Sequence, residues 1–323
     1  MENPSHRFPA VVLGGSAGAI EPLQRIAAAL PSDFPAAVFV ATHIPAASVS
    51  ALPHLLARSG VLFATHAIDG APIAPGRIIV APPDHHLTVE DGVMRVFKGP
   101  TENNHRPSID VLFRSAAMSF NTGACGVLLS GTLDDGVAGL VAIHEAGGNA
   151  IAQDPEDAQF PDMPRNAIRT GAVDGIYPAE DMVAAISEWL SRPRSRAKGT
   201  PSIAVDEREA GTPSVFTCPD CGGTLWELDG EAVLRFRCRT GHAYSENTML
   251  SSQGKNLEKA LWAAMRSLEE RHDLIRRISA RAKKSGDSHT TRRLDAQGDD
   301  VRRDIDRINE AIAGLLSETT NLA

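Results

Sequence analysis

The first two thirds of the 323-residue chain alternate short, continuously apolar runs with segments of helical spacing. Five runs have the length and β-branched content of buried strands, at 10–15, 36–43, 76–83, 125–131 and 149–154. Helical spacing follows or separates some of them, at 19–30, 108–120 and 135–147. Continuous apolar strands with interleaved helices are typical of a sheet covered on both faces. The pattern therefore predicts an α/β fold with a doubly wound, mostly parallel sheet.

The C-terminal third has a different pattern. We expect an α/β domain over 1–191, a linker over 192–213, a small ribbon over 214–248 and a helical hairpin over 249–323. In the hairpin, apolar residues recur every three, four or seven positions: Leu257, Leu261, Ala264, Leu268, Ile275 and Ile278, then Leu294, Val301, Ile305, Ile308, Ile312 and Leu315. A narrow stripe on two helices buries little by itself, so we expect docking or self-association through these helices.

Composition narrows the functional classes. The formal net charge is -8, which offers no basic field to a phosphate backbone, so we expect no nucleic-acid partner. Alternating arginines and aspartates in the second hairpin helix indicate a solvated, salt-bridged face rather than a nucleic-acid surface. No apolar run approaches bilayer-spanning length, and the first residues lack a secretory pattern. We therefore expect a cytoplasmic protein without direct membrane insertion.

Three chemically complementary side chains follow three of the predicted strands. Ser16 follows the first, His43 follows the second, and Asp134 with Asp135 follows the strand at 125–131. Parallel strands gather their carboxyl ends at one edge of a sheet, so these side chains are expected to meet. Hydroxyl, imidazole and carboxylate are the parts of a nucleophilic triad. Each residue also has a simpler interpretation, as a turn former, a strand cap or the N-cap of the next helix.

Glycines surround the candidate nucleophile in "GGSAGA". They are compatible with a phosphate cradle or with a sharp turn that projects Ser16 outward. The segment does not match G-x-G-x-x-G, and His43 rather than an acidic residue closes the second strand, so the dinucleotide interpretation fails. We favour the nucleophile turn, with amides of Ala17 and of the Gly131–Thr132 turn as candidate donors to an oxyanion.

Three of the four cysteines lie close together with a histidine. Cys218-x-x-Cys221 is separated by sixteen residues from Cys238-x-x-x-His242, which predicts a closed tetrahedral site for a structural zinc ion. A redox Cys-x-x-Cys pair is the alternative, but it would leave Cys238 and His242 without a role. Cys125 lies in an apolar strand and is expected to be a small buried hydrophobe. We expect no cofactor for catalysis.

Several segments occur together in an order that resembles one known family. They are "VVLGGSAGAIEPL", "ATHIP", "HRPSIDVLFRSAA" and "GVLLSGTLDDGVAGLVAIHEAGGNAIAQDPEDAQFPDMPRNAI". Together they resemble the catalytic domain of the bacterial chemotaxis protein-glutamate methylesterases, the CheB family. The resemblance implies that Ser16 is the nucleophile, His43 the base and Asp135 the orienting carboxylate. It implies hydrolysis of γ-methyl glutamyl esters on chemoreceptor helices, and deamidation of certain receptor glutamines. Arg106 then has two interpretations, receptor positioning or a salt bridge within the fold.

The sequence departs from the better-known members at the rim of the site. Ala17 stands where they have threonine, Thr42 where they have glutamine, Thr132-Leu133 where they have Met-Gly, and Asp134 where they have asparagine. The first predicted strand starts about ten residues from Met1, so we expect no N-terminal receiver domain. Regulation is then expected in trans, through the C-terminal part, or not at all. The expected substrate is a methylated chemoreceptor helix or another signalling protein. Two alternatives remain open: a regulatory or binding protein whose altered site no longer processes receptors, or a serine hydrolase of another ester or amide.

Overall fold

The computed structural model describes residues 8–48, 50–193, 211–228 and 232–321, so most of the predicted linker lies outside the described residues. The strands are β1 (Ala10–Gly15), β2 (Ala37–Thr42), β3 (Phe63–His66), β4 (Arg77–Val80), β5 (His86–Glu90), β6 (Val93–Phe97), β7 (Ala124–Leu128), β8 (Asn149–Gln153), β9 (Gly175–Tyr177), β10 (Thr212–Thr217), β11 (Thr224–Leu228), β12 (Arg235–Cys238) and β13 (Ala243–Ser245). The helices are α1 (Ile20–Ala29), α2 (Leu52–Ser59), α3 (Ile109–Phe120), α4 (Val137–Glu145), α5 (Asp162–Arg169), α6 (Met182–Ser191), α7 (Glu246–Lys284) and α8 (Ser288–Asn321).

Seven strands form one sheet in the order β3-β4-β2-β1-β7-β8-β9, and every neighbouring pair is parallel. The predicted doubly wound sheet is confirmed. From β1 the chain first builds one side of the sheet through β2, β3 and β4, and then crosses to the other side at β7. The carboxyl ends of β1, β2 and β7 therefore lie side by side at the topological switch point, where such sheets form their sites.

Apolar side chains fill both faces of this sheet. On one face the cluster includes Phe113 of α3 and Leu140 of α4, and on the other it includes Leu23 of α1, Leu56 of α2 and Ile186 of α6. β1 and β2 are buried at every position, which explains their uninterrupted apolar sequences. Strands β3 and β9 were not predicted because they have only four and three residues, and β5 and β6 were not predicted because polar residues interrupt their apolar positions.

The cysteine-rich segment folds into a four-stranded antiparallel sheet, β10-β11-β12-β13, referred to here as the ribbon. Its two central strands, β11 and β12, pair antiparallel. Its apolar cluster is small: Cys218, Leu225, Phe236, Cys238, Tyr244 and Met249. The chain divides into two compact units, Met1–Met249 and Leu250–Ala323, so the ribbon shares a unit with the parallel sheet.

The second unit contains the paired helices of the predicted hairpin. Their shared core includes Ile275, Leu294, Val301 and Ile305, with Leu268 packed against it. The predicted seam is wrong at Leu257 and Ile278, which are 49% and 43% exposed, and at Ala264, which is also exposed. The α7 seam instead passes through Met265, Leu268, His272, Ile275 and Ser279, which are buried or half-buried at alternating spacings of three and four. Two of these residues are polar, so counting apolar residues missed the register. No helix of the described residues has both the length and the apolarity needed to cross a bilayer.

Helix α3 packs closely against Gly14 at the end of β1. A Cβ at this position would lie 2.2 Å from Ile109 Cγ2 and 3.0 Å from Phe113 Cζ, so α3 rests directly on the end of β1. The packing of α3 against the end of β1 therefore leaves no room for a side chain at Gly14.

Gly14→Ala should lower the free energy of unfolding by about 1–3 kcal/mol, because the strand or α3 must shift to admit the methyl group. Gly254→Ala in α7 is the matched control, since no atom lies within 4 Å of its added Cβ. That control should stabilise its helix by about 0.5–1 kcal/mol. Chemical denaturation of both variants measures the difference, and equal stabilities would contradict the proposed packing.

Candidate active site

The structure brings together the three side chains that the strand ends predicted. Ser16 directly follows β1, His43 directly follows β2, and Asp135 lies in the loop between β7 and α4. The Ser16 hydroxyl lies 2.8 Å from Nδ1 of His43, and Nε2 of His43 lies 2.7 Å from Oδ2 of Asp135. These distances are hydrogen bonds, and they connect a partly exposed hydroxyl to a buried carboxylate.

The direction of these bonds follows from the charge on Asp135. An ionised carboxylate only accepts hydrogen bonds, so Nε2 of His43 carries the proton and Nδ1 has the free lone pair. Ser16 therefore donates to Nδ1. In this tautomer the imidazole can remove the hydroxyl proton, and the positive charge that then forms on His43 faces a negative charge at 2.7 Å.

Asp135 is held by the start of α3 as well as by the histidine. Its oxygens accept hydrogen bonds from Asn103 Nδ2 at 2.9 Å, Ser108 Oγ at 2.7 Å, and the amides of Ile109 at 2.7 Å and Asp110 at 3.3 Å. Burial opposes ionisation of Asp135, but its hydrogen bond to and electrostatic interaction with His43, the electrostatic interaction with His105 and the Asn103 hydrogen bond lower its pKa below the usual range. The helix N-terminus also favours the anion.

Asp110 is a second buried carboxyl close to the triad. Its Oδ1 accepts a hydrogen bond from the Gly139 amide in α4 at 2.7 Å, and its Oδ2 accepts from Asn103 Nδ2 at 2.9 Å. Burial, followed by the charge of Asp135, raises the pKa of Asp110. The Asn103 amide therefore bridges two carboxyls, of which Asp135 is the stronger acid. The sequence suggested Asp134 or Asp135 as the N-cap of α4, but the N-cap residue is Gly136, and the carboxyl that accepts from the first turn of α4 is that of Asp110 in α3.

The Ser16 turn is fixed by backbone contacts. The Ser16 amide donates to the Ser130 carbonyl at 2.9 Å, and the Ala19 amide donates to the Ser16 carbonyl at 3.1 Å. Gly18 has φ +75°, a left-handed conformation that favours glycine. The amide of Gly131 donates to the Phe160 carbonyl at 2.9 Å, so this predicted oxyanion donor is already engaged. Ala17 and Thr132 remain the candidate donors.

Two residues of the "HRPS" segment have distinct surroundings. The His105 ring stacks on the His43 ring with centroids 3.4 Å apart and planes 7° apart. Arg106 donates to Asp84 from Nε at 2.9 Å and from its terminal nitrogen at 2.5 Å, and it also contacts the Gly99 carbonyl. Hydrogen bonds from Lys98 and Arg106 lower the pKa of Asp84 to about 2. Of the two interpretations of Arg106, these contacts favour the salt bridge within the fold.

The turn that carries the carboxylate has a separate set of contacts. Leu133, where better-known members have glycine, has φ +63°, and its carbonyl accepts a hydrogen bond from Asn166 Nδ2 at 2.6 Å. Asp134 is 2% exposed and faces away from His43 toward the start of α7. It accepts from Thr248 Oγ1 at 2.8 Å and from the Asn247 amide at 3.3 Å. Neighbouring aspartates thus serve different parts of the molecule.

The four predicted metal ligands also converge. Their donor atoms all lie within 4.8 Å of one another: Cys218, Cys221, Cys238 and His242. The separation of Cys221 Sγ from Cys238 Sγ is 3.7 Å, and His242 Nδ1 lies 3.7 Å from Cys218 Sγ and 3.5 Å from Cys238 Sγ. A tetrahedral zinc with bonds of about 2.3 Å to sulfur and about 2.0 Å to nitrogen needs edges of about 3.5–3.8 Å.

Backbone turns support both halves of this cluster. The Gly222 amide donates to the Cys218 carbonyl at 2.9 Å, and the Gly241 amide donates to the Cys238 carbonyl at 2.9 Å. A hydrogen bond from the Gly223 backbone, followed by bonds from His242 and Thr240, lowers the pKa of Cys221 to about 6. The donor set and its spacing fit a metal ion that prefers thiolate and imidazole ligands.

Comparison with known proteins identifies the family. The family model described as CheB methylesterase matches residues 11–186, which is more than half of the chain. The chain belongs to the CheB methylesterase family. A crystal structure of the CheB methylesterase catalytic domain of Thermotoga maritima is 31% identical, with a TM-score of 0.54, covering 56% of this chain and 98% of that one.

Several named relatives share this domain. Protein-glutamate methylesterase/protein-glutamine glutaminase 6 of Anaeromyxobacter dehalogenans (strain 2CP-C) is 39% identical over 193 residues, covering 57% of this chain and 55% of that protein. Protein-glutamate methylesterase/protein-glutamine glutaminase 5 of Myxococcus xanthus (strain DK1622) is 37% identical over 178 residues, covering 54% of this chain and 51% of that protein. The chain thus spans about half the length of the curated relatives it matches.

Sequence reasoning missed the residues that contact Asp135 and His43 of the candidate triad. Asn103, Ser108 and Asp110 hold Asp135 or its partner, and His105 lies against His43. The available signals were the polar residues just before the helix at 108–120 and their place in the "HRPSID" segment that carries the family resemblance. Neither signal indicates which carboxylate these residues contact.

Asp135→Asn should reduce the rate at which Ser16 reacts with a serine-directed fluorophosphonate probe by about 10³-fold or more, because an amide can hold His43 in the wrong tautomer. Asp134→Asn is the matched control and should change that rate by less than about tenfold, since it contacts only the ribbon and the start of α7. Time-resolved labelling measures both rates. A larger effect at Asp134 would move the orienting role to that residue.

Proposed function

We propose that this chain is a protein-glutamate methylesterase that hydrolyses γ-methyl glutamyl esters on receptor helices. The observation that carries the proposal is the continuous hydrogen-bonded path from Ser16 through His43 to the buried Asp135 at the switch point of a CheB-family sheet. The named relatives carry out methylesterase and glutaminase reactions, according to their names. Methylated chemoreceptor helices are therefore the proposed substrate.

The proposed reaction uses each triad atom in turn. Nδ1 of His43 takes the Ser16 proton as Oγ attacks the ester carbonyl, forming a tetrahedral intermediate whose oxyanion faces the Ala17 and Thr132 amides. When the carbonyl re-forms, methoxide leaves and takes the proton from Nδ1, so methanol is released. Water then gives a proton to Nδ1 and attacks the acyl-serine, and the glutamate carboxyl and Ser16 are regenerated. A glutamine amide follows the same steps with ammonia as the leaving group.

We further propose that the ribbon holds one structural zinc ion through Cys218, Cys221, Cys238 and His242. Three thiolates and an imidazole complete a tetrahedron, so the ion has no open position for substrate. The metal would supply stability that the small apolar cluster of the ribbon lacks. Cytoplasmic location and self-association through the hairpin stay predictions from the sequence.

Ser16→Ala should abolish methanol release from methylated receptor membranes, a loss of at least about 10³-fold, because no other group replaces the nucleophile. Wild type and variant are compared without a phosphodonor, and equal thermal unfolding shows that the variant is folded. Methanol release that persists in the variant would remove Ser16 from the mechanism.

Purified protein should contain about one zinc per chain, and Cys238→Ser should lose it, since this thiol is 2% exposed and contacts both Cys221 and His242. Cys125→Ser is the control for thiol loss, because that buried cysteine lies in β7, in a different part of the fold. Elemental analysis measures the metal. A Cys238→Ser protein with full zinc would exclude the four-ligand site.

A further inference from the structure

Asn103 joins the triad carboxylate to the ribbon. Its side-chain nitrogen donates to Asp135 Oδ1 and to Asp110 Oδ2, both at 2.9 Å, and its side-chain oxygen accepts from the Ser245 backbone amide at 2.8 Å. The residue is 4% exposed and its backbone has φ +52°. Both ends of this one amide are therefore committed, one to the triad and the other to β13.

The segment around Asn103 extends the ribbon sheet. The backbone amide of Asn103 donates a hydrogen bond to the Ala243 carbonyl at 2.8 Å, and the backbone amide of Ala243 donates one to the Thr101 carbonyl at 3.3 Å. Glu102 pairs with Ala243 in parallel register. Arg237 of β12 lies 3.5 Å from Glu102. The loop thus behaves as an added edge strand of the ribbon. The position of Asn103 consequently depends on where β13 lies.

The position of β13 depends in turn on the metal cluster. The strand begins at Ala243, directly after the candidate ligand His242, and Ser245 follows two residues later. The Cys218–Cys221 turn adds a second attachment, because Thr101 Oγ1 donates to Asp220 at 3.0 Å. The ribbon also holds the other side of the carboxylate turn, since the Ser245 hydroxyl donates to Asp134 at 2.5 Å.

We propose that Asn103 is a positioning residue through which the metal-bound ribbon holds Asp135 in its productive orientation, so that metal occupancy sets the reactivity of Ser16. This inference rests on the proposed triad and the proposed zinc site. Without metal, the small ribbon core cannot keep β13 in place, and the Asn103 side-chain oxygen loses the Ser245 backbone amide that donates to it. The amide is then free to rotate, and Asp135 and His43 lose a fixed neighbour. Displacement of a reacting group by about 1 Å costs up to about 100-fold in rate.

The first test removes the side chain and keeps the backbone. Asn103→Gly retains the left-handed conformation, which glycine adopts without strain. It should lower kcat for methyl-ester hydrolysis, and the rate of fluorophosphonate labelling of Ser16, by about 10- to 100-fold with KM unchanged. Asn104→Gly is the matched control, because this exposed neighbour also has positive φ, +66°, and it should retain both rates. Wild-type rates in Asn103→Gly would overturn the proposal.

The second test asks whether metal acts through Asn103. Labelling of Ser16 is measured in full-length wild type and Asn103→Gly, each with zinc bound, after chelation, and with Cys221→Ser, which removes an exposed ligand. Metal loss should slow wild type by about 10- to 100-fold but slow Asn103→Gly by less than about threefold. Equal losses in both backgrounds would show that the ribbon acts by another route and would overturn the proposal.

Asn103→Asp provides a readout that does not require a folded metal-free form. The introduced carboxyl has the shape of the amide but faces Asp110 and Asp135, and it can donate a hydrogen bond only when protonated. The labelling rate relative to wild type should therefore rise as the pH falls from 8 to 5. A constant ratio would indicate a merely structural role. Because the probe needs only an activated serine, these results stay distinct from failure of the protein to act on receptor esters.

Discussion

The site depends on the hydrogen bonds that stabilise the buried negative charge of Asp135. A carboxylate with 2% exposure is costly unless its oxygens are hydrogen-bonded. The chain meets this requirement with the start of α3, an asparagine and the histidine that the carboxylate orients. The close contact of α3 with Gly14 of β1 serves the same end, because it fixes the helix start relative to the nucleophile turn. Packing and electrostatics thus converge on one side chain.

Much of this arrangement could be predicted from the sequence, because it follows from local patterns. Buried parallel strands are recognisable as apolar runs, and their carboxyl ends must meet, so Ser16, His43 and Asp135 could be expected together. The convergence of the four candidate metal ligands was recognisable from their spacing alone. What could not be predicted is which imidazole nitrogen faces which partner, since that depends on the rotamer of His43.

The supporting residues could not be predicted for a different reason. Asn103 contacts a carboxylate 32 residues away and a serine 142 residues away in sequence, and no periodicity encodes such pairs. The hairpin seam was predicted correctly at most positions but wrongly at Leu257, Ala264 and Ile278, because His272 and Ser279 occupy inward positions that apolar patterning ignores. Both failures involve polar residues whose role is defined only by tertiary neighbours.

The aspartate pair after β7 has a consequence for the modularity of this protein. Asp135 belongs to the triad, while Asp134, its neighbour in the chain, caps the start of α7 and binds β13. The ribbon is therefore hydrogen-bonded to the turn that carries Asp134 and Asp135, and we expect that it cannot be exchanged without that turn. A chimera that moves it to another family member would have to transplant the turn and the Asn103 segment together. We expect the contact between Asp134 and Ser245 to constrain recombination between such proteins, although the two residues lie more than 100 positions apart in sequence.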